Sequence, residues 1–245
     1  MALDDRRLRS PRRFHVSTWR GDRQVAVLSP APDHAAPAAS AIAAELARLH
    51  AAGVRRVLTG ALHEAELGPF LATGFREHER LHLLRHDLVR IPEARPAERL
   101  RRARRRDLDA VLDIDARAFD EFWALDRRGL DDAIRATPTA RFRVTAALGQ
   151  PITGYAVTGR AADRGYLQRL AVDPARHRQG IGRLLVADAL GWLRRRGARV
   201  AMVNTQERNA GALALYRDCG FVEEPTGLLV LVRDLSHAPG EGDAP

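Results

Sequence analysis

Tyr166 to Arg183, YLQRLAVDPARHRQGIGR, passes from an apolar run through a basic turn to a pair of glycines. The run Leu167 to Val172 reads as a buried strand that stops at Asp173-Pro174. Arg176-His177-Arg178-Gln179 then leads into Gly180-Ile181-Gly182 and a long amphipathic pattern in which Ile181, Leu185, Ala189, Trp192 and Leu193 fall on one stripe. A strand, a glycine-bearing turn and a helix start make an anion site. First-turn N–H groups have no intrahelical partner, the helix dipole is positive there, and glycine lets a phosphate approach the backbone. Arg194 to Arg196 close the helix where cations suit the dipole.

Composition narrows the class. A chain of 245 residues with 45% hydrophobic content has material for one large or two small domains. No apolar run approaches the ~18 residues of a helical membrane span, and MALDDRRLRSPRR has no apolar segment behind it to make a secretory signal. The single cysteine, Cys219, excludes an internal disulfide and points to a reducing compartment, by default the cytoplasm. The formal charge of +9 would ordinarily raise nucleic acid as a partner. Here all 40 basic residues are arginine, a pattern of codon bias, and no aromatic platform is interleaved with them. The reading is against nucleic acid. The nine histidines show no metal-ligand spacing, so no metal is expected.

Along the chain, Phe14–Trp19 and Gln24–Leu28 read as a hairpin, 38–52 as a helix stopped by Gly53, and 54–59 as a strand. A short helix 64–73, Gly74 and a strand 80–88 follow. The order recurs later: helix, Gly197, strand 199–204, helix 210–219, Gly220, strand 228–235. The glycines are 21 and 23 positions apart, and both closing glycines precede phenylalanine, Phe75 and Phe221. This points to an internal duplication. Between the two copies, RIPEARP (90–96) reads as an extended linker. A strand at 98–102 follows it. Next come a helix 107–119 with Asp107 as N-cap, a helix from 129 to 137, and strands 140–148, 152–159 and 165–172.

The second diagnostic block is Asn209 to Phe221, NAGALALYRDCGF. Asn209 stands where an N-cap belongs, and Tyr216 lies two helical turns on, on the same face. Together with the glycine loop, this block resembles the acetyl-CoA-binding core of the GNAT N-acetyltransferases, whose patterns are Arg/Gln-x-x-Gly-x-Gly/Ala and Asn-x-x-Ala-x-x-x-Tyr-x-x-x-Gly-Phe. The resemblance covers about Leu100 to Leu235, with one departure: His177 occupies the position three before Gly180. It implies an α/β fold with a mixed central sheet flanked by helices, preceded by a partial degenerate copy of the same fold. The corresponding domains are 1–92 and 97–236, with a disordered tail at 237–245.

The resemblance also implies roles. Leu170, Ala171 and Val172 would bind the pantetheine of acetyl-CoA. His177, Arg178, Gln179, Gly180, Ile181, Gly182 and Arg183 would hold its pyrophosphate. Asn209 would contact the CoA arm, and Tyr216 would protonate the departing thiolate. The acceptor would be a primary amine, either a protein N-terminus or lysine, or a small molecule. For the base, Glu207 is the candidate, and Glu121, Trp123 and Asp126 fall in the segment that borders the acceptor in the family. The first copy has PAPDHAAPAAS in place of the glycine loop and is read as a structural or substrate-shaping lobe. A non-catalytic acyl-CoA sensor or protein-interaction module is the alternative, and the assembly is open between monomer and homodimer. Cys219 reads as a packing residue.

Overall fold

The computed structural model of the chain describes residues 14–31, 37–94, 98–146 and 150–236. The readings on residues 1–12, on 32–36 before the first helix, on 95–96 of the linker and on the 237–245 tail lie outside the described residues. In chain order the strands and helices are β1 (Phe14–Trp19), β2 (Asp22–Pro30), α1 (Ala39–Ala51), β3 (Arg56–Thr59), α2 (Glu64–Leu71), β4 (Arg76–His86) and β5 (Arg99–Arg102). Then come α3 (Leu108–Ala118), α4 (Arg127–Arg135), β6 (Thr139–Ala146), β7 (Ile152–Ala161), β8 (Arg164–Val172), α5 (Ile181–Arg195), β9 (Val200–Gln206), α6 (Ala210–Asp218), β10 (Val222–Glu223) and β11 (Leu228–Asp234). They form two compact units, Met1–His82 with Pro225–Pro245, and Leu83–Glu224.

In the first unit β1 and β2 form an antiparallel hairpin. Its turn residues Arg20 and Gly21 both have positive φ, 51° and 73°, the two-residue geometry that matches strand twist. β2 runs parallel to β3, and β11 lies antiparallel to both β3 and β4. Leu28, Ile42, Leu49, Phe70 and Leu231 are buried together in its core. The strand 228–235, read from sequence with the second copy, thus completes the sheet of the first unit. Its continuous apolar run suits a strand paired on both sides, and which strands it pairs with is settled by the tertiary fold.

In the second unit β5, β6, β7 and β8 form an antiparallel run, and β8 continues parallel to β9. β7 is buried from Ile152 to Gly159 because helices cover both faces. On one side α5 places Leu185, Val186, Trp192 and Leu193 in a core that also takes Leu84 and Leu88 from the end of β4 and the turn after it. On the other, Val111 and Ile114 of α3 and Leu130 of α4 pack on Val144, Tyr155 and Val157. Asp107 stands at the N-cap position of α3 as read, but its side chain makes no capping bond there; its carboxylate accepts from Arg104 N at 2.7 Å and from Arg101 at 2.6 and 2.8 Å, closing the 3₁₀ turn Arg105–Asp107.

The recurring glycines share one geometry. Gly53, Gly74, Gly197 and Gly220 have φ between 77° and 92°. In each case the next residue's N–H bonds the carbonyl five back: Val54 to Leu49, Phe75 to Phe70, Ala198 to Leu193 and Phe221 to Tyr216. This is the Schellman stop, which needs a left-handed residue and brings an apolar contact with it. That contact is Phe70–Phe75 at 5.3 Å in the first unit and Tyr216–Phe221 at 5.6 Å in the second.

Two outcomes are expected. Deleting 225–245 removes Leu231 and Leu235 from the first core and leaves β3 paired on the β2 side alone. Amide exchange in β2 and β3 should then lose protection, and unchanged protection there would contradict the pairing. His86 is buried, accepts from Leu88 N through Nδ1 at 2.8 Å, and has its pKa lowered from 6.5 by desolvation. The unfolded chain therefore binds the proton more readily, so stability should be full above about pH 6.5 and fall as pH drops below it. His86→Phe should flatten that acid limb in urea titrations run from pH 7 to 5.

Candidate active site

The parallel ladder between β8 and β9 is short. It joins Arg164, Gly165 and Tyr166 to Val200, Ala201 and Met202, then ends. β8 runs on to Val172 and β9 to Gln206 without pairing each other. Over Leu167–Val172 β8 is bonded to β7 on one side only. On the other side of that stretch no strand pairs with it, so the backbone groups of alternate residues that point there, those of Leu170 among them, have no ladder partner. Leu170 and Val172 pack towards α5 and Ala171 towards α3 and α4.

The predicted phosphate loop follows directly. Arg178 and Gly180 have φ of 63° and 78°, and Gly180 is the N-cap of α5 with no side chain capping the first turn. A Cβ on Gly180 would meet nothing within 4 Å, so the space before the amides is open, whereas one on Gly182 would lie 2.9 Å from Leu215 Cδ2. The N–H groups of Ile181, Gly182 and Arg183 occupy the positive end of a 15-residue helix. The side chains divide. His177 Nε2 lies 3.1 Å from Val172 O, pinning the loop to the end of β8. Arg176 Nε donates to Gln179 Oε1 at 2.8 Å and its Nη2 to the buried Glu98 at 3.1 Å. Arg183 reaches the carbonyls of Glu93 and Asp218. Arg178 is exposed and available to an anion.

α6 carries the second block. Asn209 caps it as expected, its Oδ1 accepting from Ala212 N at 3.0 Å. Tyr216 is 5% exposed, packs on Phe221 and makes no hydrogen bond through its hydroxyl among the described residues. Burial pushes its pKa above the usual 10, with Arg169 opposing. The phenol is therefore protonated across neutral and mildly alkaline pH. Glu207 sits exposed in the turn between β9 and α6. Cys219 is buried and its thiol is pushed up to about 11 by desolvation, which makes a poor nucleophile and fits packing.

The face of β8 towards α3 and α4 holds a network that the motifs did not reveal. Opposite Val157–Thr158 of β7, Gln168 is an extra residue in β8, a β-bulge. Arg169 beside it donates to Asp115 twice, both at 2.8 Å, and to Trp123 O at 2.7 Å, with its guanidinium 3.4 Å above the Phe119 ring centre. Asp115 is wholly buried and also accepts from Tyr155 Oη and from Leu125 N. A charge out of water must be matched in full, so this cluster fixes segment 119–125 against β8. Glu121 and Trp123 lie in that segment. Asp126 caps α4 through Gly129 N at 2.7 Å. One signal for Asp115 was in the sequence, a carboxylate on the apolar stripe of a helix; its partner, 54 residues away, was not.

The first unit shows the contrast. Its β2–β3 ladder runs from Val25–Arg56 to Leu28–Thr59, the end of β3, and leaves no open stretch like that of β8. Where Tyr216 accepts the Schellman bond that stops α6, Phe70 accepts the one that stops α2, and it has the ring and not the hydroxyl. Among the described residues no group of three or more His, Cys, Asp or Glu side chains is gathered to hold a metal, and no helix is long and apolar enough to cross a membrane.

The chain is similar to known proteins. Residues 108–221 match the model of the acetyltransferase (GNAT) family. A segment of 72 residues, 29% of the chain, is 36% identical to the [ribosomal protein bS18]-alanine N-acetyltransferase of Escherichia coli. The match spans about half, 49%, of that relative. In three dimensions the chain resembles a tandem GNAT protein from the clavulanic acid biosynthesis pathway, with TM-score 0.65, 13% identity and coverage of 88% of this chain and 76% of that one. It also resembles a GCN5-related N-acetyltransferase from Sphaerobacter thermophilus, with TM-score 0.61, 14% identity and coverage of 90% and 76%. The fold is the GNAT fold, a mixed sheet flanked by helices.

If the loop is an anion cradle, Gly180→Pro and Gly182→Glu should each weaken CoA binding at least about tenfold in calorimetry, the first by fixing φ near −65° and the second by driving a side chain into Leu215 and displacing the start of α5. A dissociation constant unchanged by both would remove the loop from the site.

Proposed function

We propose that the protein is an acetyl-CoA-dependent N-acetyltransferase that moves the acetyl group from the thioester directly to a primary amine. The observation that carries this reading is the interrupted β8–β9 ladder, with the uncapped start of α5 following β8 in sequence and α6, which holds Tyr216, following β9. The bS18-alanine N-acetyltransferase named above supports a protein N-terminus as one acceptor class; a lysine or a small-molecule amine fits the same chemistry.

In this reading the free side of β8 at Leu170–Val172 holds the pantetheine arm by backbone hydrogen bonds, and one of its amides polarises the thioester carbonyl. The loop amides and Arg178 hold the pyrophosphate, and Asn209 lies beside the arm. The neutral amine attacks the carbonyl carbon, and the tetrahedral intermediate collapses with loss of the thiolate. Tyr216 gives its proton to sulfur. The proton lost by the amine leaves through solvent, with Glu207 the candidate to receive it. Tyr216 suits its role because burial keeps the phenol protonated at the working pH.

The first unit is proposed to be a decayed copy of the same fold. The repeated Schellman stops, the β2–α1–β3–α2 order and the likeness to a tandem GNAT protein support this. Its closed ladder and Phe70 support a single competent site, in the second unit.

Assay of free thiol release against a panel of N-terminal peptides, lysine peptides and small amines tests the assignment. Tyr216→Phe should lower kcat by about 10²-fold or more with little change in KM for acetyl-CoA. Tight acetyl-CoA binding with no turnover on any amine would favour a sensor instead.

A further inference from the structure

We propose that Glu98, just ahead of β5, is a positioning residue that holds the phosphate loop in its anion-accepting shape. The inference rests on the acetyl-CoA reading above and adds to it a side chain that no loop motif contains.

Glu98 is buried, its side chain only 3% exposed, and a buried carboxylate is retained only where each oxygen is matched. One oxygen accepts from the Thr153 hydroxyl, itself 3.0 Å from Thr145 Oγ1. The other accepts from Arg176 Nη2 at 3.1 Å. Arg176 passes the constraint on, donating through Nε to Gln179 Oε1 at 2.8 Å. Gln179 stands between the two left-handed residues, Arg178 and Gly180.

A non-glycine residue at φ 63° is in a left-handed conformation that costs the chain free energy to hold. The relay from β7 through Glu98 and Arg176 to Gln179 supplies the restraint. It also assigns the arginines: Arg176 is turned inwards to a carboxylate, so Arg178 is the loop cation left to face phosphate. Glu98 thus acts on the pyrophosphate through the loop and touches no substrate.

The test compares two thioesters. Glu98→Gln keeps the size and a hydrogen bond to Thr153 but removes the charge that draws in Arg176. It should weaken acetyl-CoA binding and raise its KM roughly tenfold, in line with loss of a charge-assisted bond. Turnover of S-acetyl-pantetheine, which has no pyrophosphate, should stay at the wild-type rate. Arg176→Gln should reproduce this pattern, and the double variant should be no worse than either single one. Arg176→Gln also supplies the readout should Glu98→Gln fail to fold. Equal losses with both thioesters, additive losses in the double variant, or an unchanged KM for acetyl-CoA would overturn the proposal and leave the acetyltransferase reading standing. A wild-type protein that binds no acetyl-CoA would overturn both.

Discussion

A parallel strand pair that stops pairing partway leaves backbone donors and acceptors on facing edges, and inside a folded unit those groups need partners from elsewhere. β8 and β9 part after Tyr166 and Met202, and the later elements of the second unit are arranged around that gap. The freed side of β8 is a row of hydrogen-bonding groups. The turn after it leads straight into α5, whose first amides are the next set without partners. α6 brings Tyr216 from the end of β9. A strand edge without a ladder partner, a helix start and a buried tyrosine thus come from consecutive stretches of chain.

Holding a strand with one bonded neighbour requires support from its faces. On one face α5 gives β8 an apolar backing, with Leu167 and Leu170 against Ile181, Leu185 and their neighbours. On the other, the support is ionic: the bulge at Gln168 and the Asp115–Arg169 pair lock β8 to α3 and to segment 119–125. The two supports differ in kind for a physical reason. An apolar layer resists sliding weakly, while a bidentate ion pair fixes direction as well as distance.

The first unit carries no comparable gap. Its β2–β3 ladder runs to the end of β3. Its helices stop on the same Schellman geometry, and its aromatic pair is Phe70 with Phe75 in place of Tyr216 with Phe221. Packing is conserved between the two aromatic pairs, while the polar atom is present in only one. Local stop signals and apolar faces are enough to keep a fold, and the site needs polar groups in addition.

Much of this was legible from residues alone. The element order, the four glycine stops, the Asn209 cap, the glycine-bearing start of α5 and the inertness of Cys219 all derive from short-range physics, in which a residue's neighbours within a few positions carry the information. Asp107 was read at the right position but with the wrong bond, because an acidic residue before a helix can cap it or close the preceding turn, and Arg101 decided between them. The tertiary structure alone settled three things: that Leu228–Asp234 completes the first unit's sheet, that Asp115 meets Arg169, and that Glu98 reaches Arg176. Each is a pairing over 50 or more positions in sequence. A strand's apolar run shows that it has a partner, and a buried charge shows that it needs one. Which partner it finds is set by the three-dimensional path of the chain between them.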